Sequence, residues 1–179
     1  KEDKVGGCGI LKVMEDGLPL TIKDVAYLMI CLSDNTATNI LIDYIGMDKI
    51  NESIKANGFR GTVLGRKMMD TEARKAGKDN FTTPEDVLKV LEILCGNSDD
   101  LDMLRNQAYN NKIPLYYPRE VDFAHKTGEL MYTEHDAGRL FFDKGWVDIV
   151  VLTKDLEENE DGIKINSLIG KLIFDNYSK

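Results

Sequence analysis

The segment 21–46, TIKDVAYLMICLSDNTATNILIDYIG, decides the fold of this chain. Apolar residues recur at helical spacing on both sides of a short polar turn, Ser33-Asp34-Asn35, which predicts two buried helices with the turn between them. Thr36 or Thr38 is expected to cap the second helix. Because buried polar side chains are costly unless they are paired, the turn either braces the fold through helix capping or serves a functional site.

A second polar motif lies far downstream, in the segment 121–128, VDFAHKTG. Its residues alternate as in a β-strand and end in Lys126-Thr127-Gly128. A Ser-Asp-Asn turn followed by a strand-borne Lys-Thr-Gly is typical of class A β-lactamases and penicillin-binding proteins, although either tripeptide alone carries little information. The chain therefore resembles the class A β-lactamase family over about residues 17–177, including the HDAG sequence that follows at 135–138.

The resemblance implies a role for each residue of the turn. Ser33 is expected to pass a proton to the leaving nitrogen and Asn35 to hydrogen-bond the substrate's side-chain amide, while Asp34 braces the turn. We also expect the hydroxyl of Ser33 and the ammonium of Lys126 to face each other across a shared groove.

The strand motif predicts a site for a carboxylate. An ammonium near the end of a strand attracts a substrate carboxylate and lowers the cost of negative charge nearby, and glycine lets a ligand approach the backbone. The resemblance implies that Lys126 and Thr127 bind the carboxylate beside Gly128, and that the backbone N–H of Glu129 supplies half of an oxyanion hole. The alternative is an edge strand with solubilising Lys and Thr.

A general base is expected in the polar segment 66–82, since long loops inside a compact domain are usually functional. Class A enzymes place a glutamate there that activates the hydrolytic water, and Glu72 is the best candidate, with Asp70 second. The usual Pro and Asn after that glutamate are missing. A solvated loop acid is the alternative interpretation of Glu72.

The nucleophile of the family mechanism is not found. The family uses a Ser-x-x-Lys motif, and none of the five serines has a lysine three residues later: Ser33, Ser53, Ser98, Ser167 and Ser178. We therefore expect residues 1–179 to form one incomplete β-lactamase-like domain, inactive alone, that lacks the nucleophile helix and two N-terminal strands. The strand near 147–153 would then be an exposed sheet edge, which predicts self-association.

The remaining pattern predicts an α+β fold. Helices fill the first two-thirds, and Ser98 is expected to cap one of them. Three antiparallel strands follow near 121–127, 136–143 and 147–153, with a tight turn at 143–145. The acidic run 157–161 is expected to be a solvated loop, and a helix from about Ile163 to Tyr177 to pack on the sheet.

The amino-acid composition and net charge exclude several classes of partner and site. A net charge of −8 and a pI near 4.8 argue against nucleic acid or an anionic membrane as the main partner. The three cysteines and two histidines show no metal-site spacing, no cofactor is expected, and no apolar run has membrane-spanning length. The resemblance implies a secreted or cell-envelope serine hydrolase that acts on a β-lactam. The alternatives are a D,D-peptidase that acts on a peptidoglycan-like substrate and a non-catalytic binding module.

Overall fold

The computed structural model describes residues 4–177, which form two compact units, one ending at Asp86 and the other beginning at Val87. Both units are described separately below. The α-helices of the described residues are α1 Ile22–Cys31, α2 Asn35–Ile45, α3 Met47–Ala56, α4 Thr71–Lys75, α5 Pro84–Cys95, α6 Ser98–Arg105 and α7 Asn159–Tyr177. The strands are β1 Phe123–Leu130, β2 Thr133–Phe142 and β3 Gly145–Leu152. None of these helices is long and apolar enough to cross a membrane.

The N-terminal unit is organised around the predicted helix pair, since α1 packs against α2. A capping box starts α1: the Thr21 hydroxyl accepts a hydrogen bond from the Asp24 N–H, and the Asp24 carboxylate accepts one from the Thr21 N–H. Four buried apolar residues form the core of this unit: Leu11, Val25, Ala37 and Leu41.

The cap of α2 differs from the prediction. Asp34, and neither Thr36 nor Thr38, caps the helix by accepting a hydrogen bond of 2.9 Å from the Ala37 N–H. A carboxylate is preferred there because it satisfies an unpaired N–H and carries charge of the sign that the helix N-terminus attracts. The hydroxyl of Thr36 instead accepts from the Val5 N–H.

The cap of α6 is also shifted by one residue. The side-chain oxygen of Asn97 accepts from the N–H groups of Asp99 and Asp100, so Ser98 is the first helical residue rather than the cap. Asn is at least as good a cap as Ser, and the two stand side by side in the sequence.

The segment 66–82, predicted as a long loop, has defined internal structure. It contains the short helix α4, and an antiparallel bridge between Val63 and Phe81 closes its base. Inside the loop, Arg66 and Asp79 form an ion pair of 2.8 Å. The side-chain oxygen of Asn80 accepts from two backbone N–H groups at the start of the segment.

The C-terminal unit contains an antiparallel sheet with the strand order β1-β2-β3. β1 runs to Leu130, beyond the predicted end at 127, whereas the predicted tight turn between β2 and β3 is confirmed at Asp143-Lys144. In the described part of the chain β3 pairs only with β2. Self-association through that edge stays a prediction.

Helix α7 packs on the sheet, as predicted. Its residues Ile169, Ile173 and Phe174 lie against a core formed by Ile113, Phe123, Leu140, Ile149 and Val151. The helix begins at Asn159 rather than near 163, so part of the acidic run lies in its first turn and not in a loop. Acidic side chains at a helix N-terminus are favourable because they face the positive end of the helix dipole.

Candidate active site

Ser33 occupies a strained position between α1 and α2. Its backbone φ is +50°, in the left-handed region that residues other than glycine rarely adopt. Such a conformation persists only where the surrounding structure enforces it, and it is found disproportionately at functional sites. The residue that follows, Asp34, is held by several hydrogen bonds.

Asp34 is 1% exposed, and its carboxylate is fully engaged by backbone N–H groups. One oxygen accepts from the N–H of Ile10 at 2.7 Å and of Leu11 at 2.9 Å, and the other caps α2 through Ala37. Asp34 therefore ties the turn to the segment before α1. A carboxylate saturated in this way is suited to bracing rather than to proton transfer.

A glycine-rich segment that the sequence interpretation did not assign to the site lies against Asn35. The Asn35 side chain donates to the carbonyl of Gly6 at 3.0 Å, and its backbone N–H donates to the carbonyl of Cys8. A Cβ on Gly7 would lie 2.4 Å from the Asn35 amide nitrogen. The cluster Gly6, Gly7 and Gly9 was the available signal, because glycine often marks a close backbone approach.

Glu72, the candidate base, lies on the exposed helix α4. Its side chain is 80% exposed and pairs with Lys75 at 2.8 Å. Asp70, the second candidate, caps α4 by accepting from the Ala73 N–H. A general base needs a fixed position beside the proton that it removes. The exposed ion pair with Lys75 does not give Glu72 such a position.

The same loop is tied to α2 at Met68. The side-chain amide of the buried Asn39 accepts from the Met68 N–H at 2.8 Å and donates to the Met68 carbonyl at 3.0 Å. Sequence reasoning missed Asn39, although a polar residue among the apolar residues of α2 was a signal. The loop residue that contacts Asn39 is thus apolar.

The second motif lies on β1, at one edge of the sheet as the described residues form it. Thr127 is buried, Lys126 is partly buried and Glu129 is exposed. The Lys126 ammonium donates to the Thr127 carbonyl at 2.6 Å. Gly128 pairs with His135 of β2. The motif residues therefore share one short stretch of strand, as predicted, and their ligand contacts stay predictions.

A buried ion pair supports this strand, and sequence reasoning did not find it. Lys112 is 2% exposed and Glu134 is 1% exposed, with 2.6 Å between the ammonium nitrogen and Oε2. The ammonium also donates to the carbonyl of Gly128 at 2.8 Å and to that of His135 at 3.3 Å. The charged ammonium of Lys112 is thus hydrogen-bonded to the backbone of the Lys-Thr-Gly motif.

A second buried pair lies beside the first. His125 Nδ1 is 2.8 Å from Asp136 Oδ1, and His125 Nε2 is 3.1 Å from the side-chain oxygen of Asn110. The other oxygen of Asp136 accepts from the Ile113 N–H. The His125 ring stacks on Phe123, with 4.6 Å between the centroids. Both ring nitrogens of His125 therefore contact side chains of neighbouring residues, which fix the orientation of the ring.

Two further groups have shifted pKa values. Burial lowers the pKa of His135, and its Nδ1 accepts from the Thr153 N–H, which fits a neutral ring. Burial, followed by the negative charge of Asp136, raises the pKa of Tyr117, whose hydroxyl has no hydrogen-bond partner within residues 4–177. Over the same residues, no cluster of three or more His, Cys, Asp or Glu side chains could hold a metal ion.

A family model described as the β-lactamase enzyme family matches residues 1–177. The chain belongs to this family. It is 31% identical to the β-lactamase from Sphaerobacter thermophilus DSM 20745, over 98% of this chain and 70% of that one, with a TM-score of 0.86. No match was found among curated proteins.

More distant solved structures show the same fold. PBP-A is 22% identical over 98% of this chain and 68% of its own, with a TM-score of 0.83. A class A β-lactamase from Mycobacterium abscessus is 17% identical over 99% of this chain and 72% of its own, with a TM-score of 0.84. The predicted β-lactamase/transpeptidase-like α+β fold is therefore confirmed.

The two motifs lie in different compact units, Ser33 in the first and Lys126 in the second. The expectation that the two side chains face a shared groove stays a prediction. The roles assigned to Ser33, Asn35, Glu72, Lys126 and Thr127 likewise stay predictions.

Proposed function

We propose that this chain carries the substrate-binding part of a serine acyl-transfer site that acts on β-lactams, as in a β-lactamase. Membership of the β-lactamase enzyme family supports the reaction class. The observation that carries the proposal is the buried carboxylate of Asp34, which caps α2 directly after Ser33, a residue in a left-handed conformation, and so fixes the turn that carries Asn35. A rigid scaffold of this kind suits an active site, because catalysis depends on pre-organised polar groups.

In this proposal each half of the site has its own task. Lys126 and Thr127 bind the substrate carboxylate, and the Glu129 N–H donates to the carbonyl oxygen as negative charge develops on it. Ser33 returns a proton to the lactam nitrogen, and Asn35 binds the side-chain amide. The attacking serine is not among these residues, because the 179 residues contain no Ser-x-x-Lys. The chain alone is therefore expected to bind β-lactams without acylation.

A penicillin-binding D,D-peptidase is the second candidate, and the position of Glu72 favours it. Hydrolysis of the acyl-enzyme needs a base that activates water, whereas Glu72 is exposed and paired with Lys75. The loop residue fixed by Asn39 is Met68, which has no proton to exchange. A site with these features is expected to form the acyl-enzyme and release it slowly. One solved structure with this fold is an acyl-enzyme complex of a PBP-A mutant with penicillin G.

Calorimetric titration of the chain with penicillin G tests the proposal. We expect saturable binding by the unmodified chain and a loss of at least tenfold in affinity for Lys126→Ala, because a charge-assisted bond to the carboxylate is removed. Lys144→Ala is the matched control, since Lys144 is an exposed lysine on the β2–β3 turn. Absence of binding, or equal losses for the two variants, would contradict the proposal.

Mass spectrometry separates the candidate functions. The 179-residue chain is expected to show no penicilloyl adduct. In any longer natural polypeptide that contains this chain together with a Ser-x-x-Lys segment, a short-lived adduct indicates a β-lactamase and a long-lived one a peptidase. No adduct from such a polypeptide indicates a non-catalytic binding module.

A further inference from the structure

The ion pair between Lys112 and Glu134 is a feature of the C-terminal unit that the proposed function does not use. Both side chains are almost completely buried. Removing two charges from water costs several kcal/mol per ion, and a buried pair is often no more stabilising than apolar residues of similar size. Stability alone therefore gives little reason for a lysine and a glutamate at these positions.

The surroundings of the ammonium show what the charge contacts. An ammonium has three N–H donors, and three oxygens surround this one: the carbonyls of Gly128 and His135, and Oε2 of Glu134. Oε2 accepts no well-directed hydrogen bond, so its contact with Lys112 is electrostatic. The directed hydrogen bonds go to the backbone of facing residues on β1 and β2.

The glutamate of the pair is anchored from the other side. Its Oε1 accepts from the Asn159 side chain at 2.7 Å, and the same amide donates to the Leu130 carbonyl at the end of β1. Asn159 is the first residue of α7. The ammonium is therefore held in place by a chain of contacts that runs from the start of α7 through Glu134 to Lys112.

The bond to Gly128 has a consequence for the next residue. A trans peptide is planar, and its C=O and N–H point in opposite directions. The Gly128 carbonyl and the Glu129 N–H belong to one such peptide, so an ammonium bound to the carbonyl fixes the direction of the N–H. Positive charge on the carbonyl side also polarises the peptide and strengthens the N–H as a donor.

We propose that the Lys112–Glu134 ion pair is a positioning device that aims and polarises the Glu129 N–H as the oxyanion donor of the site. The proposal rests on the proposed function, which gives that N–H its role. Lys112 contacts the backbone of the motif and acts through the peptide, so it is a positioning residue.

The test compares two ion pairs of the C-terminal unit, each with a partner on β2, in ¹H–¹⁵N NMR spectra. The double variant Lys112→Met/Glu134→Gln removes both charges and leaves none buried alone. The matched control is Arg139→Met/Asp148→Asn, since Arg139 and Asp148 form a largely buried pair of 2.6 Å between β2 and β3. We expect the Glu129 amide proton to shift upfield in the first variant and to keep its position in the control.

Penicillin G titration supplies a second readout. The first double variant is expected to bind roughly threefold to tenfold more weakly, the value of one hydrogen bond, and to lose the downfield shift of the Glu129 amide on binding. An unchanged Glu129 amide, free and bound, would overturn the proposal. If the unmodified chain does not bind penicillin G, the proposed function fails, and the ligand-free Glu129 shift still decides whether the ion pair polarises that peptide.

A milder variant covers the case in which the double variant does not fold. Asn159→Ala removes the anchor of Glu134 from a partly exposed position and leaves both charges in place. The Glu129 amide should then shift in the same direction by a smaller amount. No shift in this variant would contradict the anchoring chain.

Discussion

Replacement of Asp34 by alanine should be among the most damaging single changes in the N-terminal unit. The carboxylate accepts from three backbone N–H groups, and the Leu11 N–H lies in a buried position that water does not reach. A hydrogen bond to a charged group contributes about 1.5–3 kcal/mol. Three bonds at the lower limit give a loss of about 4.5 kcal/mol in the free energy of unfolding. That is a large fraction of the total stability of a small domain.

Two further variants sharpen this prediction. Asp34→Asn keeps an oxygen that can accept but loses the charge and one acceptor, so we expect about half of the loss. Asp70→Ala is the matched control, because Asp70 also caps a helix but accepts from only one N–H, at a partly buried site. Its loss should not exceed about 1 kcal/mol.

The assay is urea denaturation followed by circular dichroism, combined with hydrogen exchange of the α2 amides. Exchange reports the local loss directly, because amides in α2 are exposed when the turn opens. Equal losses for Asp34→Ala and Asp70→Ala would refute the argument that the carboxylate braces the turn.

Three other predictions concern one close contact of a glycine and two buried titratable side chains. Gly9→Ala should destabilise the chain more than Gly17→Ala, because both glycines have positive φ but only at Gly9 would a Cβ lie 2.2 Å from Asp34 Cγ; equal urea midpoints would disagree with this. Because burial lowers the pKa of His135 below about 6.5, the unfolded chain binds a proton at pH values at which the folded chain does not. Stability should therefore be complete above pH 6.5 and fall below it; an identical pH dependence for His135→Asn would rule this out. Because burial raises the pKa of Tyr117, stability should decline above about pH 10, and Tyr117→Phe should reduce that decline in denaturation curves at pH 9 and 11.

The helices and the motif positions could be predicted from the sequence because local patterns encode them. Apolar spacing and the Thr21–Asp24 capping box determine α1 within a few residues. The end of β1 could not be placed in this way. Its turn is formed by Met131-Tyr132, with Tyr132 at a φ of +60°, and no Gly, Asn or Asp marks it.

The buried ion pair between Lys112 and Glu134, which contacts the Lys-Thr-Gly motif, could not be predicted for a different reason. Lysine and glutamate are almost never fully buried, so Lys112 and Glu134 read as surface residues. Their burial results from partners that are distant in sequence, such as Asn159, which single-sequence patterns do not reveal. The exposure of Glu72 likewise depends on the path of the whole loop.

The proposed function requires that the Ser-Asp-Asn turn and the Lys-Thr-Gly strand bind one ligand. The most direct measurement is a ¹H–¹⁵N NMR titration of the chain with penicillin G, in which every backbone amide is followed. We predict that the amides of 33–35 and of 126–129 shift together and saturate with one dissociation constant. Shifts confined to one of the two motifs, or two different dissociation constants, would contradict the account.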